Sequence, residues 1–367
     1  MVENKITTPI QVTKTYLPDV DKYKSYVDRI FSSGWVTNHG ALVNLLEDRL
    51  RKYLSINNVL LVANGTLALQ IAYKTLGLQG AVVTTPFSFV ATTSSLVWEG
   101  LKPKFADIDP ESFCLDPENI EKNISSEVSA ILPVHIFGNC CEIDKISAIA
   151  SRHGLNTVYD ASHAFGVRYR ERSVFDFGDI SIVSFHATKI FHTVEGGALI
   201  VPDDHLYEKA KYMRDFGITG PDCVGSLGIN AKMNEFEAAM GLCVLDDIEM
   251  LLEARKNLYA YYLEKLPSTL KVQKMNRLCV PNYSYFPVVF SSEGELVKVE
   301  RTLNSRNIFP RRYFSPSLDT LPYLNGHQKM PVSNAVSKTI LCLPLFFGMD
   351  FDVVDLVAET ISGVLNA

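Results

Sequence analysis

The sequence predicts an α/β fold, with a mixed, mostly parallel sheet between helices and a smaller α/β domain at the C-terminal end. Short apolar runs alternate with segments of helical periodicity, which is typical of α/β layering. The 367 residues are 47% apolar, enough to bury a large core in one or two domains. After Lys232 this alternation gives way to a long helical pattern, which predicts the change of domain.

The first 201 residues contain most of the predicted elements. An apolar stripe at helical spacing over residues 41–54 predicts a helix. A buried strand is expected at residues 59–63, followed at once by a helix through Leu76. The other expected elements are strands at residues 81–85, 103–107, 130–135, 156–160, 179–185 and 198–201, and helices at 88–98 and 143–153.

The helical pattern at residues 233–266 is too long to pack comfortably as one helix, so we expect a break in it. Beyond the break, a strand at residues 285–290 and a closing helix from Asp352 indicate a second unit. We therefore expect a large domain at residues 1–249 and a small C-terminal domain at residues 250–367.

The composition excludes several classes of protein. The 35 basic and 41 acidic residues give a net charge of −6 without a basic face, so nucleic acid is not an expected partner. The N-terminal segment MVENKITTPIQVTK does not resemble a signal peptide, and no apolar run reaches about 18 residues, so we expect a cytoplasmic protein without a membrane span. The seven cysteines fit neither a disulfide framework nor a zinc site, so we expect reduced, mostly buried thiols and no metal.

A polar motif, Asn64-Gly65-Thr66, stands between a predicted strand and a predicted helix. Glycine permits a tight turn there, and the free N–H groups at the start of the helix suit a phosphate. A plain helix cap by Asn64 or Thr66 is the alternative. Asp160 ends another predicted strand, where ligands of open α/β sheets bind, and could hold a proton on a cofactor ring nitrogen or simply cap a helix.

Lys189 follows the strand at residues 179–185 in the stretch SFHATKIFHTVEGG. A half-buried lysine is costly unless its ammonium is paired or used, and a lysine activated by burial can form a Schiff base with an aldehyde. Ser184 could bind a phosphate, and His163 would return to the side of Asp160 on the next turn. Singly, each has an ordinary alternative: a solvated lysine, a capping serine and a core histidine.

Together these residues match the needs of one cofactor, pyridoxal 5′-phosphate. Its phosphate requires a cradle, its ring nitrogen an acidic partner and its aldehyde a lysine. Asp160 precedes Lys189 by 29 residues with a strand between them, so both would reach the same rim of a parallel sheet.

The chain resembles the sugar-nucleotide aminotransferases of the DegT/DnrJ/EryC1/StrS family, which have the type I aminotransferase fold. The resemblance extends over essentially the whole length. Nine segments in the same order make it specific, although any one alone would be weak. They are GWVTNHG, NGTLAL, TTPFSFVAT, PKFADIDP, PVHIFGN, YDASHAFG, SFHATKIFHTVEGGAL, MRDFG and NAKMNEFEAAMG.

The resemblance implies roles for individual residues. Lys189 would bind the cofactor aldehyde and then carry a proton between the cofactor carbon and the substrate carbon, while Asp160 would pair with the ring nitrogen. One phosphate contact would come from a second subunit, which implies an obligate homodimer with shared active sites. The other implied contacts are Phe89 on the ring, His163 near the ring hydroxyl, Gly65, Thr66 and Ser184 on the phosphate, and Asn230 from the second subunit.

Two positions depart from the family pattern. His163 stands where the family often has glutamine; it can make a similar hydrogen bond, but its charge state adds a pH sensitivity. Ala231 and Lys232 follow Asn230 where an aromatic residue and an arginine are more usual. A branch of the family that removes hydroxyl groups has histidine in place of the lysine, and Lys189 argues against that branch.

The resemblance implies amino transfer from L-glutamate to a nucleotide-linked keto-deoxysugar, with dTDP-4-keto-6-deoxyglucose preferred. The product would serve amino-sugar biosynthesis for a surface glycan such as the O-antigen of lipopolysaccharide. The lysine segment is closer to enzymes that act on the sugar C4 than to C3 enzymes, whose segment reads more like FYPTKNLGALGDGG. C3 amination, a non-sugar ketone substrate and a non-catalytic regulatory or scaffold protein that binds the cofactor stay open.

Two family segments would line the mouth of the site, residues 35–40, which include Thr37, and residues 310–314. Arg311 or Arg312 could pair with the diphosphate because guanidinium binds phosphate oxygens in a fork; a solvated arginine pair is the alternative. The further candidates for substrate contacts are Tyr313, His186 and His192.

Overall fold

The computed structural model describes residues 8–324, 326 and 328–366. The first seven residues, which open the predicted large domain and the segment MVENKITTPIQVTK, lie outside the described residues, as do residues 325, 327 and 367 of the predicted small domain. Within the described ranges, no helix has the length and apolar character that a membrane crossing requires.

The helices of the described chain alternate with strands through the first two hundred residues. They are α1 Val20–Ser33, α2 Ala41–Leu54, α3 Gly65–Leu76, α4 Val90–Trp98, α5 Pro117–Lys122, α6 Ile143–His153, α7 Asp204–Arg214, α8 Glu235–Asp246, α9 Ile248–Lys265, α10 Glu293–Ser305, α11 Pro331–Thr339 and α12 Phe351–Leu365.

The strands are mostly short. They are β1 Ile10–Gln11, β2 Val59–Val62, β3 Ala81–Thr84, β4 Lys102–Phe105, β5 Val128–Leu132, β6 Asn156–Asp160, β7 Arg168–Tyr169, β8 Arg172–Ser173, β9 Ile180–Ser184, β10 Gly197–Ile200, β11 Ile218–Gly220, β12 Cys223–Val224, β13 Lys271–Val272, β14 Cys279–Val280, β15 Phe286–Val289, β16 Ile308–Phe309 and β17 Ile340–Leu343.

Seven strands form the central sheet in the order β2-β10-β9-β6-β5-β3-β4. Neighbours from β9 to β4 pair in parallel, whereas β10 runs antiparallel to both β2 and β9. The sheet is therefore mixed and mostly parallel, as predicted. Gly197 of β10 lies opposite both Val62 and Ser184, so β2 and β9 end at the same edge of the sheet.

The sheet separates two helical layers because alternate residues of a strand face opposite sides. In β2, Leu60 and Val62 pack with residues of α3 and α7, whereas Val59 and Leu61 join the core that contains residues of α2, α6 and α8. All four are fully buried, which explains why the strand is a continuous apolar run.

The observed elements agree closely with the predicted ones in this part of the chain. Strand β6 and helices α2 and α6 have the predicted bounds, and β2, β3, β9 and β10 differ from prediction by one or two residues. The strand expected at residues 130–135 is displaced, since β5 spans Val128–Leu132 and ends before Pro133. Proline has no N–H group to continue a ladder.

The expected break in the long helical pattern is present. Helices α8 and α9 meet at Asp247, which ends one and begins the other. A second apolar core then forms from α9, β15, α10, β17 and α12. It surrounds an antiparallel sheet in the order β13-β15-β17. This core fits a small C-terminal domain, while the boundary between residues 249 and 250 stays a prediction.

Candidate active site

A cavity of about 310 Å³ lies at the carboxyl ends of β2, β6 and β9. This is the edge at which ligands bind in open α/β sheets, because loops there leave each strand in the same direction. Ten of the residues singled out from the sequence line the cavity. They are Gly65, Thr66, Phe89, Asp160, His163, Ser184, His186, Lys189, Arg311 and Tyr313.

Asp160 ends β6 with its carboxylate held on both oxygens. Thr92 Oγ1 donates to Oδ2 at 2.8 Å, while Ser162 donates to Oδ1 from its hydroxyl at 2.6 Å and from its backbone N–H at 3.1 Å. The residue is only 5% exposed and borders the cavity. A buried carboxylate held by three donors has a fixed position and orientation toward a ligand.

Lys189 lies in the loop between β9 and β10, which brings its amine to the edge of the sheet. Its backbone N–H donates to the carbonyl of His186 at 2.9 Å, closing a turn. Burial lowers the pKa of Lys189 to about 8, and the charge of Asp160 opposes that shift. In the described part of the chain the amine has no hydrogen-bond or ion-pair partner, so it is available for chemistry.

Three chain segments meet closely at the start of α3. A Cβ on Gly65 would lie 3.1 Å from Cβ of Ser184, and one on Gly197 would lie 2.7 Å from the backbone nitrogen of Gly65. Asn64 caps the helix by accepting from the N–H of Leu67 at 2.9 Å. The first N–H groups of a helix have no partner within it, so those of Gly65 and Thr66 stay available to an anion. The motif is therefore both a cap and a phosphate-sized niche.

His163 is enclosed by three aromatic rings. Its ring is nearly parallel to those of Phe137 and Phe314, with centroids 6.0 and 5.9 Å away, and the Tyr285 centroid is at 4.8 Å. Its Nδ1 accepts from the backbone N–H of Phe137 at 3.2 Å. Burial, and secondarily the charge of Lys189, hold the pKa of His163 well below its usual range. The neutral form of the ring is therefore favoured, and the pH sensitivity expected from His163 stays a prediction.

Phe89 precedes α4 and borders the cavity with 53% of its surface exposed. Packing in the core does not account for such an exposed ring. A large apolar side chain at the rim of a pocket gains burial when a flat ligand covers it.

The two arginines of the predicted substrate pair have different surroundings. Arg311 lines the cavity, with its guanidinium 4.5 Å from the centroid of Tyr313. Arg312 instead donates from Nη2 to Glu293 Oε1 at 2.8 Å and to the Lys338 carbonyl at 3.0 Å. Of the two, Arg311 has the guanidinium that borders the cavity, and a diphosphate contact of Arg312 stays a prediction.

His186 and His192 flank Lys189 but are placed differently. His186 is exposed and lines the cavity, with Nδ1 2.9 Å from Thr188 Oγ1. His192 is fully buried; its Nδ1 accepts from the Val194 N–H at 3.2 Å and its Nε2 lies 2.7 Å from the Tyr16 carbonyl. Because both ring nitrogens already have backbone partners, the prediction that His192 contacts substrate is wrong.

Thr37 and Asn230 do not line the cavity of their own chain. Thr37 lies in the loop after α1, where the Val36 carbonyl accepts from the Glu235 N–H at 3.0 Å. Asn230 is exposed and forms an isolated antiparallel bridge with Asp215. Contacts of these two residues with a ligand stay predictions that require a second subunit.

Sequence reasoning missed several residues of the cavity. Thr92 and Ser162 hold Asp160, and Glu195 enters from the lysine loop. Thr92 could have been found, because it follows Ser88 by four residues, about one helical turn, so their hydroxyl groups can lie on the same face. The cavity is also lined by Leu69, Ser88, Ala91, Val134, Thr188, Tyr285 and Phe314, which carry no sequence signal of their own.

The site fits pyridoxal 5′-phosphate by its own geometry. The cavity joins an unpaired amine at Lys189, a fixed carboxylate at Asp160 and an exposed ring at Phe89. The helix start at Gly65 lies against Ser184, where a Cβ on Gly65 would make a tight contact of 3.1 Å with Cβ of Ser184. These are the groups that the aldehyde, ring nitrogen, ring face and phosphate of the cofactor require.

Comparison with known proteins gives matches over nearly the whole chain. The model of the DegT/DnrJ/EryC1/StrS aminotransferase family matches residues 19–362. A dTDP-4-amino-4,6-dideoxy-D-glucose transaminase from Shigella dysenteriae is 39% identical over 360 residues, covering 96% of this chain and 98% of the relative. A protein of the same name from Escherichia coli is 33% identical over 368 residues, with 96% and 98% covered.

Solved structures agree with these sequence matches. DesI, determined in the presence of its TDP-sugar product, superposes with a TM-score of 0.91 at 31% identity, covering 97% of this chain and 93% of that one. Helicobacter pylori PseC, an aminotransferase involved in the biosynthesis of pseudoaminic acid, gives 0.90 at 25% identity, covering 98% and 100%.

The matches confirm the predicted aminotransferase fold, the prediction that the protein is an enzyme and the prediction of pyridoxal 5′-phosphate as its cofactor. They also agree with the cavity, in which the lysine, the carboxylate and the phosphate-sized niche are assembled. The chain belongs to the DegT/DnrJ/EryC1/StrS aminotransferase family.

Proposed function

We propose that this enzyme transfers an amino group from L-glutamate to C4 of dTDP-4-keto-6-deoxyglucose. The observation that carries amino transfer is the placement of the Lys189 amine, unpaired and with a pKa of about 8, in one cavity with the fixed Asp160 carboxylate. The choice of sugar is supported by the two relatives named as dTDP-4-amino-4,6-dideoxy-D-glucose transaminases, at 39% and 33% identity.

When bound, pyridoxal 5′-phosphate supplies an aldehyde that carries the amino group and a ring that accepts electrons. The backbone N–H groups of Gly65 and Thr66 and the hydroxyl of Ser184 would hold its phosphate. Phe89 would cover the ring face, and Asp160 would hold a proton at the ring nitrogen. These roles use the groups that line the cavity.

Lys189 is the proton carrier of the proposed reaction. With a pKa of about 8, a useful fraction of its amine is neutral near neutral pH and can accept a proton from carbon at Nζ. The same group can return the proton after the amino group has moved. Tyr285, Tyr313 and Phe314 form an apolar wall of the cavity, which limits the access of water to the amine.

Arg311 is the proposed contact for the anionic parts of the substrates. Its guanidinium is exposed at the cavity and is not paired with a carboxylate in the described residues. Guanidinium binds carboxylate and phosphate oxygens in a fork, so the same side chain suits the glutamate carboxylate or the sugar diphosphate.

We also propose that the enzyme is a homodimer with shared active sites. The segment around β11 and β12 exposes apolar side chains immediately before Asn230, which leaves an apolar surface beside the residue expected to reach a second site. The exposed apolar residues are Phe216, Ile218, Val224, Leu227 and Ile229. Sedimentation of the purified protein tests the dimer, and Asn230→Ala should weaken cofactor binding without moving the cavity residues of its own chain.

The decisive experiment supplies the cofactor-loaded enzyme with ¹⁵N-labelled L-glutamate and dTDP-4-keto-6-deoxyglucose. The expected product carries the label on C4 of the sugar, identified by NMR, and the Lys189→Ala variant forms none. A dTDP-3-keto-6-deoxyhexose tests the C3 alternative. If the label appears on C3, or if the enzyme converts GDP- or UDP-linked keto-sugars but not the dTDP sugar, the proposed substrate is wrong. The proposal of amino transfer would still hold.

A further inference from the structure

Two cysteines far apart in sequence meet beside the active site. Cys140 follows the single helical turn Ile136–Gly138, and Cys279 begins β14. Their Sγ atoms are 2.8 Å apart across a sequence separation of 139 residues. Both are free thiols. Formation of a bond of about 2.05 Å requires the sulfurs to approach by less than about 1 Å, so little rearrangement is needed.

The two cysteines differ in their exposure to solvent and in the pKa of their thiols. Cys140 is 2% exposed, and its S–H donates toward Cys279 Sγ, with the Arg168 carbonyl 3.8 Å away. Cys279 is partly exposed. The hydrogen bond from Cys140 lowers the pKa of the Cys279 thiol. Cys279 is therefore the less buried of the two residues and its thiol has a lowered pKa, with the Cys140 sulfur directly beside it.

We propose that Cys140 and Cys279 are a redox-active pair that a peroxide converts into an intramolecular disulfide. This inference does not depend on the proposed substrate. The 2.8 Å separation of the two sulfurs and the partial exposure of Cys279 fit reversible oxidation, which needs one attacking thiol and an adjacent resolving thiol.

The chemistry balances with hydrogen peroxide as the oxidant. The Cys279 thiolate attacks one peroxide oxygen, the O–O bond breaks, and hydroxide leaves as Cys279 becomes a sulfenic acid. Cys140 then loses its proton and attacks Cys279 Sγ, forming the S–S bond and expelling the oxygen as water. Two thiols have lost two electrons and two protons, and one peroxide has become two waters. An external thiol reverses the step by exchange.

The bond would join the two segments that hold His163. The backbone N–H of Phe137, on the Cys140 side, donates to His163 Nδ1 at 3.2 Å. Asn282, on the Cys279 side, donates from Nδ2 to the His163 carbonyl at 2.9 Å. Oxidation therefore ties together the supports of a residue that lines the cavity.

The neighbouring thiols are poorer candidates. Cys141 and Cys114 also contact each other, but both are almost fully buried, and the burial and the contact raise the pKa of the Cys141 thiol, which disfavours the reactive thiolate. Cys223 is exposed, and its sulfur contacts the Thr219 hydroxyl at 3.2 Å. Within the described residues no other cysteine sulfur lies within hydrogen-bonding distance of Cys223, so it can form adducts but no internal bond there.

The test is peptide mapping of the cofactor-loaded full chain before and after hydrogen peroxide. We expect one peptide pair joined through Cys140 and Cys279, two hydrogens lighter than the reduced pair and separated again by dithiothreitol. Free thiols should fall by two per chain. Cys141→Ser should keep the link, and Cys140→Ser and Cys279→Ser should each abolish it.

A link between other cysteines, or an unlinked sulfinic acid at Cys279 while Cys140 stays reduced, would overturn the proposal. Because the mapping is done on the unmodified chain, the result stands even if a variant fails to fold.

The melting temperature gives a second readout. A cross-link that closes a long loop restricts the unfolded chain, so the oxidised protein should melt several degrees higher than the reduced one. The oxidised Cys140→Ser variant should show no such rise.

Discussion

The Thr92 hydroxyl donates to Oδ2 of Asp160 at 2.8 Å, and both side chains are buried. Thr92 belongs to α4 and Asp160 ends β6, so the bond joins a helix to the sheet across 68 residues of sequence. The Ser88 hydroxyl lies 2.8 Å from that of Thr92 and extends the chain of hydroxyl groups. The carboxylate that faces the cavity is thus oriented by the helix that Phe89 begins.

Replacement of this threonine by valine should weaken both the fold and the site. Thr92→Val keeps the shape but leaves Oδ2 of Asp160 without its donor. A hydrogen bond to a charged group contributes about 1.5–3 kcal/mol, and we expect a loss of that size in the free energy of unfolding by urea. A carboxylate free to rotate should also lower kcat, measured with the amino-transfer assay.

The adjacent threonine provides the control. Thr93 is fully buried, and in the described part of the chain its hydroxyl has no partner. Thr93→Val removes an unpaired buried hydroxyl, so stability should stay the same or rise and kcat should not change. If Thr92→Val and Thr93→Val lower the free energy of unfolding and kcat equally, the hydrogen bond from Thr92 to Asp160 does not explain the losses.

The cost of burying Lys189 should be visible as a pH-dependent stability difference. Its folded pKa of about 8 lies below the ordinary 10.5, so the unfolded chain binds more protons between these values and stability rises with pH there. Below the folded pKa the full cost is present. Lys189→Met should therefore raise the melting temperature of the cofactor-free protein near neutral pH, and the gain should shrink as pH rises through about 8.

Thermal melts of both proteins across this pH range measure the effect. Lys232→Met is the matched control, because the Lys232 amine is paired with Asp215 at 2.6 Å and its side chain is only 6% exposed. Loss of one partner from a buried ion pair destabilises, so this variant should melt lower. If the Lys189→Met variant melts at a lower temperature than the parent at every pH, burial of the Lys189 amine does not destabilise the folded protein.

The parts of the fold that the sequence predicted are those with a strong apolar pattern. α6 has the predicted bounds because its buried residues follow the period of 3.6 residues, and β6 has them because it is a short run that is buried almost throughout. Helices α7 and α10 were missed although Asp203 and Ser292 cap them, since their charged residues weaken the apolar stripe. Pairing of β1 with β16 joins positions almost three hundred residues apart and has no local signal.

The site was predictable where a residue acts on the ligand directly. Lys189 and Asp160 each have an ordinary alternative when taken alone, but together with the Asn64-Gly65-Thr66 motif they match one cofactor at one edge of the sheet. Thr92 and Ser162 act through Asp160, and an ordinary helix contains many such hydroxyl groups. His192 was misplaced because sequence proximity to Lys189 does not show which side of a loop a ring occupies; its contact with the Tyr16 carbonyl spans 176 residues.

Substitution of Arg311 should affect substrate binding, whereas substitution of Arg312 should affect the stability of the fold. Arg311→Ala removes the guanidinium that borders the cavity, so KM for the anionic substrate that it contacts should rise. Loss of one charge-assisted hydrogen bond corresponds to an increase of roughly ten- to hundredfold. Arg312→Ala removes bonds to Glu293 and the Lys338 carbonyl, so it should lower the melting temperature with little change in KM. Steady-state kinetics with each substrate varied in turn, together with melts, distinguish the two. The reverse pattern would move the anion site to Arg312.

Gly65 should matter for the cofactor phosphate in particular. In Gly65→Ala the new Cβ would lie 3.1 Å from Cβ of Ser184 and occupy the niche at the start of α3. We expect the affinity for pyridoxal 5′-phosphate to fall by roughly tenfold or more, because the phosphate would lose one or more charge-assisted hydrogen bonds. Affinity for pyridoxal, which has no phosphate, should change much less. Absorbance titrations with both compounds measure the ratio.

Gly363→Ala is the control for this substitution, because a Cβ there meets no atom within 4 Å and the residue lies inside α12. Alanine in a helix interior is more stable than glycine by about 0.5–1 kcal/mol, so this variant should melt slightly higher and bind both compounds as the parent does. Because Gly65 also begins a helix, a general loss of helix stability would weaken both compounds equally. An unchanged affinity ratio in Gly65→Ala would therefore place the phosphate away from the N-terminus of α3.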